Sequence, residues 1–419
     1  MTLRPLPMAG VREPAPRAVR HTVMAAVVGG YLLAALVVVV ANGALSRPRW
    51  LALHLVGLGA ATNAVLVWSR HFAQALLHAR VTSERAAHAR LVILNAAVIA
   101  VLIAVPAGAT DVAAAAGFVV VGIIGWHVVS LAVMARRHQL RGPLRRVVGF
   151  FVTSALSLVI GAGFGSALAG GWAPDDSTTQ QRLHLAHAQL NLLGWIGMAV
   201  LGAEVVLWPA VLRTRMAPQA PRLAPVTLYG AVTGLGVLVT GILTGSRPAA
   251  VTGAAVYAAA VAVAIFPMIL TLPGRPSRTS SAWWLAAATI WLLAGVVVDA
   301  TRLATVNGAD AILHPLVPLM VLGLIVQALV GALTFLLPVT VGGGPAGNRR
   351  MAGALERGWQ PRFVLANIGT LLVALPSPAA VHTAGWVLAI VGFGAFLPLL
   401  AAALAGSDVV RGWRTRHQR

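Results

Sequence analysis

The chain of 419 residues has no cysteine, no lysine, only 10 acidic residues and three tyrosines. Without cysteine it can form no disulfide, thiolate metal site, iron–sulfur cluster or thiol nucleophile. Any metal it holds must use His, carboxylate, Met or backbone ligands. Charge is scarce altogether, at 10% of residues against 58% hydrophobic, with a mean hydropathy of +0.85. Long apolar runs such as 91–108 and 381–406 complete the composition of an all-α, polytopic membrane protein. All 31 basic residues are arginine, a bias that fits GC-rich coding better than a function.

Polar breaks divide the chain into twelve expected spans: 22–41, 50–77, 90–108, 112–135, 147–170, 183–211, 225–245, 250–271, 282–303, 312–340, 363–377 and 381–406. A crossing needs ~20 residues, which most of these supply. The eleventh is short and closed by Pro376 and Pro378. Twenty-five arginines fall in one alternating set of tails and loops, five (Arg47, Arg49, Arg182, Arg247 and Arg302) in the other, and Arg70 lies inside a span. By the positive-inside rule both termini are cytoplasmic. The net charge of +21 is thus a topology signal that also suits anionic lipid headgroups, and nucleic acid need not be invoked. The expected organisation is a cytoplasmic tail over 1–21, a twelve-helix membrane domain over 22–406 and a second cytoplasmic tail over 407–419. The first 21 residues have no apolar core and no small-residue cleavage site, so they read as a tail and not a signal peptide. The longest loop, 341–362, is Gly-rich and basic and is expected to be a flexible connector.

Three spans resemble one another: LHLVGLGAATNAVLVW from Leu53, HLAHAQLNLLGWIGMAVLGAEVVLWP from His184, and LHPLVPLMVLGLIVQALVGALTFLLPV from Leu313. They recur every fourth span, so the chain reads as three pseudo-repeated four-helix arcs. Each carries histidine near the outer end: His54 on span two, His184 and His187 on span six, His314 on span ten. His382 begins span twelve and reads as interfacial, and His127 lies near mid-membrane on span four. His184 and His187, three residues apart, share a helix face and can present two imidazoles to one center. Imidazole is costly in hydrocarbon and is the commonest nitrogen ligand of metals, so the layer points to a heme or metal site. His21, His88, His138 and His417 border or lie in basic segments and read as solvated.

Twelve spans in three arcs, with histidines on spans two, six and ten, resemble the catalytic subunit of heme-copper oxidases. The strings LHLVGLGAATNAVLVWSRHF, HLAHAQLNLLGWIGM and LHPLVPLMVLGLIVQALVGALTFLLPV are most similar to the oxidase-like NnrS group of heme and copper membrane proteins, and to membrane domains found with copper oxidases in high-GC bacteria. The resemblance implies that His54 and His314 are the axial ligands of a heme b, with no open iron position. It implies that His184 or His187 binds copper while the other supports it. It also implies a bacterial cytoplasmic (inner) membrane location, electron transfer or nitrogen-oxide (nitrite or nitric oxide) metabolism, and a periplasmic copper protein or cytochrome as partner. The chain departs from the oxidases in three places: span seven has no histidine pair, His314 is alone on span ten, and span six has no tyrosine. The resemblance is therefore to a scaffold that is not a conventional oxygen-reducing oxidase.

Other polar residues accompany the layer. Asp299 and Arg302, near the outer end of span nine, can pair with each other, or Arg302 can neutralize a heme propionate. Glu204 lies about 25 Å below His187 by helical rise, an intramembrane acid and so a candidate for function. Asn63, Gln189, Asn191 and Gln327 can hydrogen-bond between the repeat helices. Two further classes stay open beside the redox reading: a permease for copper or a small solute with Glu204, His127 and Arg70 along its path, and a membrane anchor for a periplasmic copper enzyme.

Overall fold

The computed structural model describes residues 16–79, 84–137, 145–173, 177–272, 279–407 and 409–410, and the expectations for Arg80, His138, Arg275, Arg278, His417 and the ends of both tails lie outside them. Among the described residues the chain forms thirteen α-helices: α1 Pro16–Val40, α2 Pro48–Leu76, α3 Glu84–Ala104, α4 Thr110–Arg137, α5 Arg145–Ala169, α6 Thr178–Leu212, α7 Ala220–Thr244, α8 Arg247–Leu270, α9 Ser280–Thr305, α10 Ala309–Val341, α11 Pro345–Leu355, α12 Trp359–Ala374 and α13 Ala379–Ala405. Eleven are long and apolar enough to cross a membrane. The exceptions are α11 and α12; α12, at 16 residues, is about 24 Å long by rise per residue. Large apolar side chains such as Leu33, Val129, Ile160 and Ile290 stand exposed around the bundle. Water would not tolerate so wide an apolar surface, whereas lipid requires it. The protein is a multi-pass, all-α membrane protein.

Two expectations change. The stretch expected to be a flexible connector contains α11, whose Met351 and Leu355 are buried, and the Glu356 carboxylate that follows accepts a hydrogen bond from Ser280 Oγ at 3.0 Å. Gly and Arg content signaled a loop, but two apolar side chains with a surface to cover are enough for three turns of helix. The first helix begins at Pro16, six residues before the expected start, so His21 is not solvated: it is fully buried and stacks on Trp68 at 4.4 Å.

Helices α2, α6 and α10 are among the most buried, and each contains a π-helical segment, Leu55–Ala61, Leu190–Gly197 and Leu319–Val326. The segments open on the same pattern, Leu-x-x-Leu-Gly, ending at Gly59, Gly194 and Gly323. At each glycine a side chain from the preceding long helix fills the place of a Cβ: Tyr31 at Gly59, Ser157 at Gly194 and Trp291 at Gly323. Two of these neighborhoods match in their polar groups as well. Tyr31 Oη donates to Asn95 Oδ1 at 2.8 Å, and Asn95 exchanges hydrogen bonds with Asn63. Trp291 Nε1 donates to Asn367 Oδ1 at 2.7 Å, and Gln327 donates to the same atom at 3.0 Å.

A π turn leaves backbone carbonyls poorly satisfied along the axis, and in lipid these must find other donors. Here the donors are side chains, from neighboring helices or from the same one. Tyr257 Oη of α8 donates to Leu193 O at 2.8 Å, Ser154 Oγ of α5 to Trp195 O at 2.6 Å, and Thr62 Oγ1 to Gly57 O at 3.0 Å. Trp195 Nε1 in turn donates to Thr62 Oγ1, tying α6 to α2 at the center.

Candidate metal center

His54 and His187 stand just before the π segments of α2 and α6. Their ring centroids are 6.3 Å apart and their planes differ by 19°. His54 Nδ1 lies 2.9 Å from Trp50 O one turn back, and the Trp50 ring stacks on the imidazole at 4.0 Å. His187 Nδ1 lies 2.7 Å from Gly161 O of α5. A carbonyl oxygen only accepts, so Nδ1 of His54 carries the proton; in His187 the Gly161 carbonyl at 2.7 Å outweighs the Asn191 amide nitrogen 3.2 Å from the same atom, so there too Nδ1 is protonated and Nε2 keeps its lone pair. Both residues are half-buried, and the hydrogen bonds of their rings among the described residues all run through Nδ1.

Access for the His187 ring comes from α5, where Gly161 and Gly165 are four residues apart on one face. A Cβ on Gly165 would lie 2.6 Å from His187 Cε1. Asn191 Nδ2 donates to His187 O at 2.7 Å, steadying the turn that carries the ring. Two imidazoles on opposite sides of one metal, with metal–nitrogen distances of about 2 Å, would have ring centers about 6 Å apart, so the pair has the spacing of a two-imidazole site.

The other candidates are placed elsewhere. His184 is exposed one turn before His187, and His314 is exposed near the start of α10. Among the described residues no group of three or more His, Asp or Glu is gathered closely enough to hold a metal. His382 is half-buried and meets the edge of Trp386 at 6.3 Å. His127 is buried and shares a 2.9 Å hydrogen bond with Ser69 Oγ, a residue about 22 Å along α2 from His54 by helical rise.

Asp299 and Arg302 do not pair. Asp299 is fully buried and both of its oxygens accept from Gln189 Nε2 at 2.9 Å. Arg302 instead donates through Nε and Nη2 to Ala311 O, at 3.1 and 2.7 Å, joining α9 to the start of α10. The two groups are three residues apart, but helical rotation turns Asp299 inward and Arg302 toward an orphan carbonyl. Glu204 is buried on α6 and accepts a hydrogen bond from Thr289 Oγ1 of α9.

The oxidase resemblance implies His54 with His314, and the repeat implies a site shared by His54, His187 and His314; the fold sets His54 beside His187. Trp50, Gly161 and Gly165 were not among the expected site residues. The signals were present: Trp50 lies one turn before His54, and the glycines recur at helical spacing on a single face. No family model matches the chain, and no curated protein matches it.

Proposed function

We propose that the chain is a redox protein of the membrane, crossing it twelve times in three arcs with both termini cytoplasmic, and that it holds one transition-metal center between His54 and His187 near the outer face. The observation that carries this reading is the matched state of the two imidazoles, each with Nδ1 held by a backbone carbonyl and Nε2 open. Metal-ligating histidines are oriented in this way, by a hydrogen bond from the nitrogen that does not bind. The occupant is heme iron or copper, both of which take neutral imidazole. When bound, it supplies one-electron exchange. The chain's own residues do the rest: Trp50 O and Gly161 O fix the tautomers, the Trp50 ring covers one face of His54, and Gly165 admits the His187 ring. A soluble copper protein or cytochrome meeting the outer face is the redox partner, and nitrogen-oxide metabolism is the context implied by the oxidase-like resemblance.

The test is a reduced-minus-oxidized optical spectrum together with metal analysis of protein purified from cells supplied with heme and copper. Heme bands assign iron, and bound copper without them assigns copper. His54→Ala and His187→Ala each remove the bound metal, while His382→Ala keeps it. Protein with neither heme nor copper overturns the proposal. Loss of metal in His314→Ala but not in His187→Ala would restore the pair expected from the oxidases.

A further inference from the structure

About 25 Å along α6 from His187 by helical rise, a cleft opens between α6, α7 and α8, lined by Leu201, Glu204, Trp208, Thr227, Ala264 and Met268 among others. Its rim includes Met216 and Ala217 of the loop between α6 and α7, at the arginine-rich end. Glu204 is 3% exposed. Its Oε1 accepts from Thr289 on α9, and its Oε2 is buried with no hydrogen-bond partner among the described residues. An ionized oxygen left so in hydrocarbon would be very costly, so the position requires a cation to complete it.

The walls supply oxygen ligands and no competing charge. Pro209 lies within α6 and has no N–H to give the carbonyl of Val205, a lining residue. Thr227 adds a hydroxyl from α7. Glu204 is the one titratable side chain among the lining residues. From α5 the neighbors at this level are Phe150 and Phe151, packed on Gly202, and from α9 Thr289. On α2 the charge at this depth is Arg70, whose Nη2 lies 4.0 Å from Glu84 Oε1.

We infer that this cleft is a binding site for a small monovalent cation, a proton or an alkali ion, with Glu204 as its anionic ligand and entry from the arginine-rich end. The site does not depend on the histidine pair, so it can stand or fall alone. The test is labeling of the full-length protein in liposomes with dicyclohexylcarbodiimide, an apolar reagent for protonated carboxyls, read by mass spectrometry of Glu204 and of Asp299. Glu204 is labeled, Glu204→Gln removes the label, and Asp299, which lies outside the cleft, stays unmodified. Labeling falls about tenfold for each pH unit above the carboxyl's titration midpoint. Slower labeling in sodium chloride than in choline chloride at equal ionic strength assigns an alkali ion, and equal rates in the two salts assign the proton. An unlabeled Glu204, or labeling indifferent to both pH and sodium, overturns the inference.

Discussion

Two imidazoles can serve one metal only if each is held in a single tautomer and orientation, and glycine does part of that work here. A methyl group at position 165 would press on His187 at Cε1 and, at 2.9 Å, on Nδ1, breaking its geometry with Gly161 O. Gly165→Ala is therefore expected to weaken metal binding by about 10–100-fold, the usual cost of disturbing an outer-shell partner. Gly163→Ala, whose Cβ would meet nothing within 4 Å, should bind as the parent does. Metal titration of the two purified variants compares them directly, and equal affinities would remove Gly165 from the site. Gln189 and Asp299 belong to the same scale. Gln189→Leu leaves the buried Asp299 carboxyl without its donor, and the expected cost is about 1–3 kcal/mol, measured by thermal unfolding in detergent.

The distinctive elements are the three π-interrupted helices. Hydropathy and the recurrence of Leu-Gly strings made α2, α6 and α10 visible as related spans, yet nothing in apolar content registers one extra residue per turn. Aligned on the shared glycine, the histidines stand five, seven and nine residues before it, at His54, His187 and His314. They thus stand out of register with one another, and of the three only His54 and His187 lie ring to ring. The side-on hydrogen bonds that support the π turns should be measurable. Tyr257→Phe removes the donor to Leu193 O and is expected to cost about 1 kcal/mol, in the range found for hydrogen bonds within membrane proteins. Tyr229→Phe, on an exposed side chain of α7, serves as the control in the same melting experiment and should not shift the transition. Equal shifts in the two variants would remove the special role of the π segment.

Across the whole molecule, arginine performs two tasks that the count alone combines. At the sparse end Arg182 donates to Leu243 O and Arg247 to Ala304 O and Val306 O, satisfying carbonyls at helix C-terminal ends, while Arg302 donates to Ala311 O, which Pro315 leaves without its helical donor. At the rich end Arg362 likewise donates to Leu355 O and Gly358 O, and the surplus of other arginines is the basis of the proposed orientation. The cysteine-free chain allows a clean test of orientation. An impermeant maleimide added to intact cells should label Thr305→Cys, at the histidine end, and should reach Arg215→Cys only after permeabilization. The reverse pattern would invert the protein in the membrane.

The sequence alone was enough to establish an all-helical, multi-pass membrane protein, because burial in lipid demands long apolar runs whose polar breaks are plain to read. It also exposed the inner helices as relatives and singled out the histidines, since imidazole is rare at such depth. Which histidines meet, where Asp299 and Arg302 turn, and that a basic Gly-rich stretch folds into α11 were decided only in three dimensions. Helix rotation and the π turns determine which face of a span looks inward, and neither leaves a trace in composition.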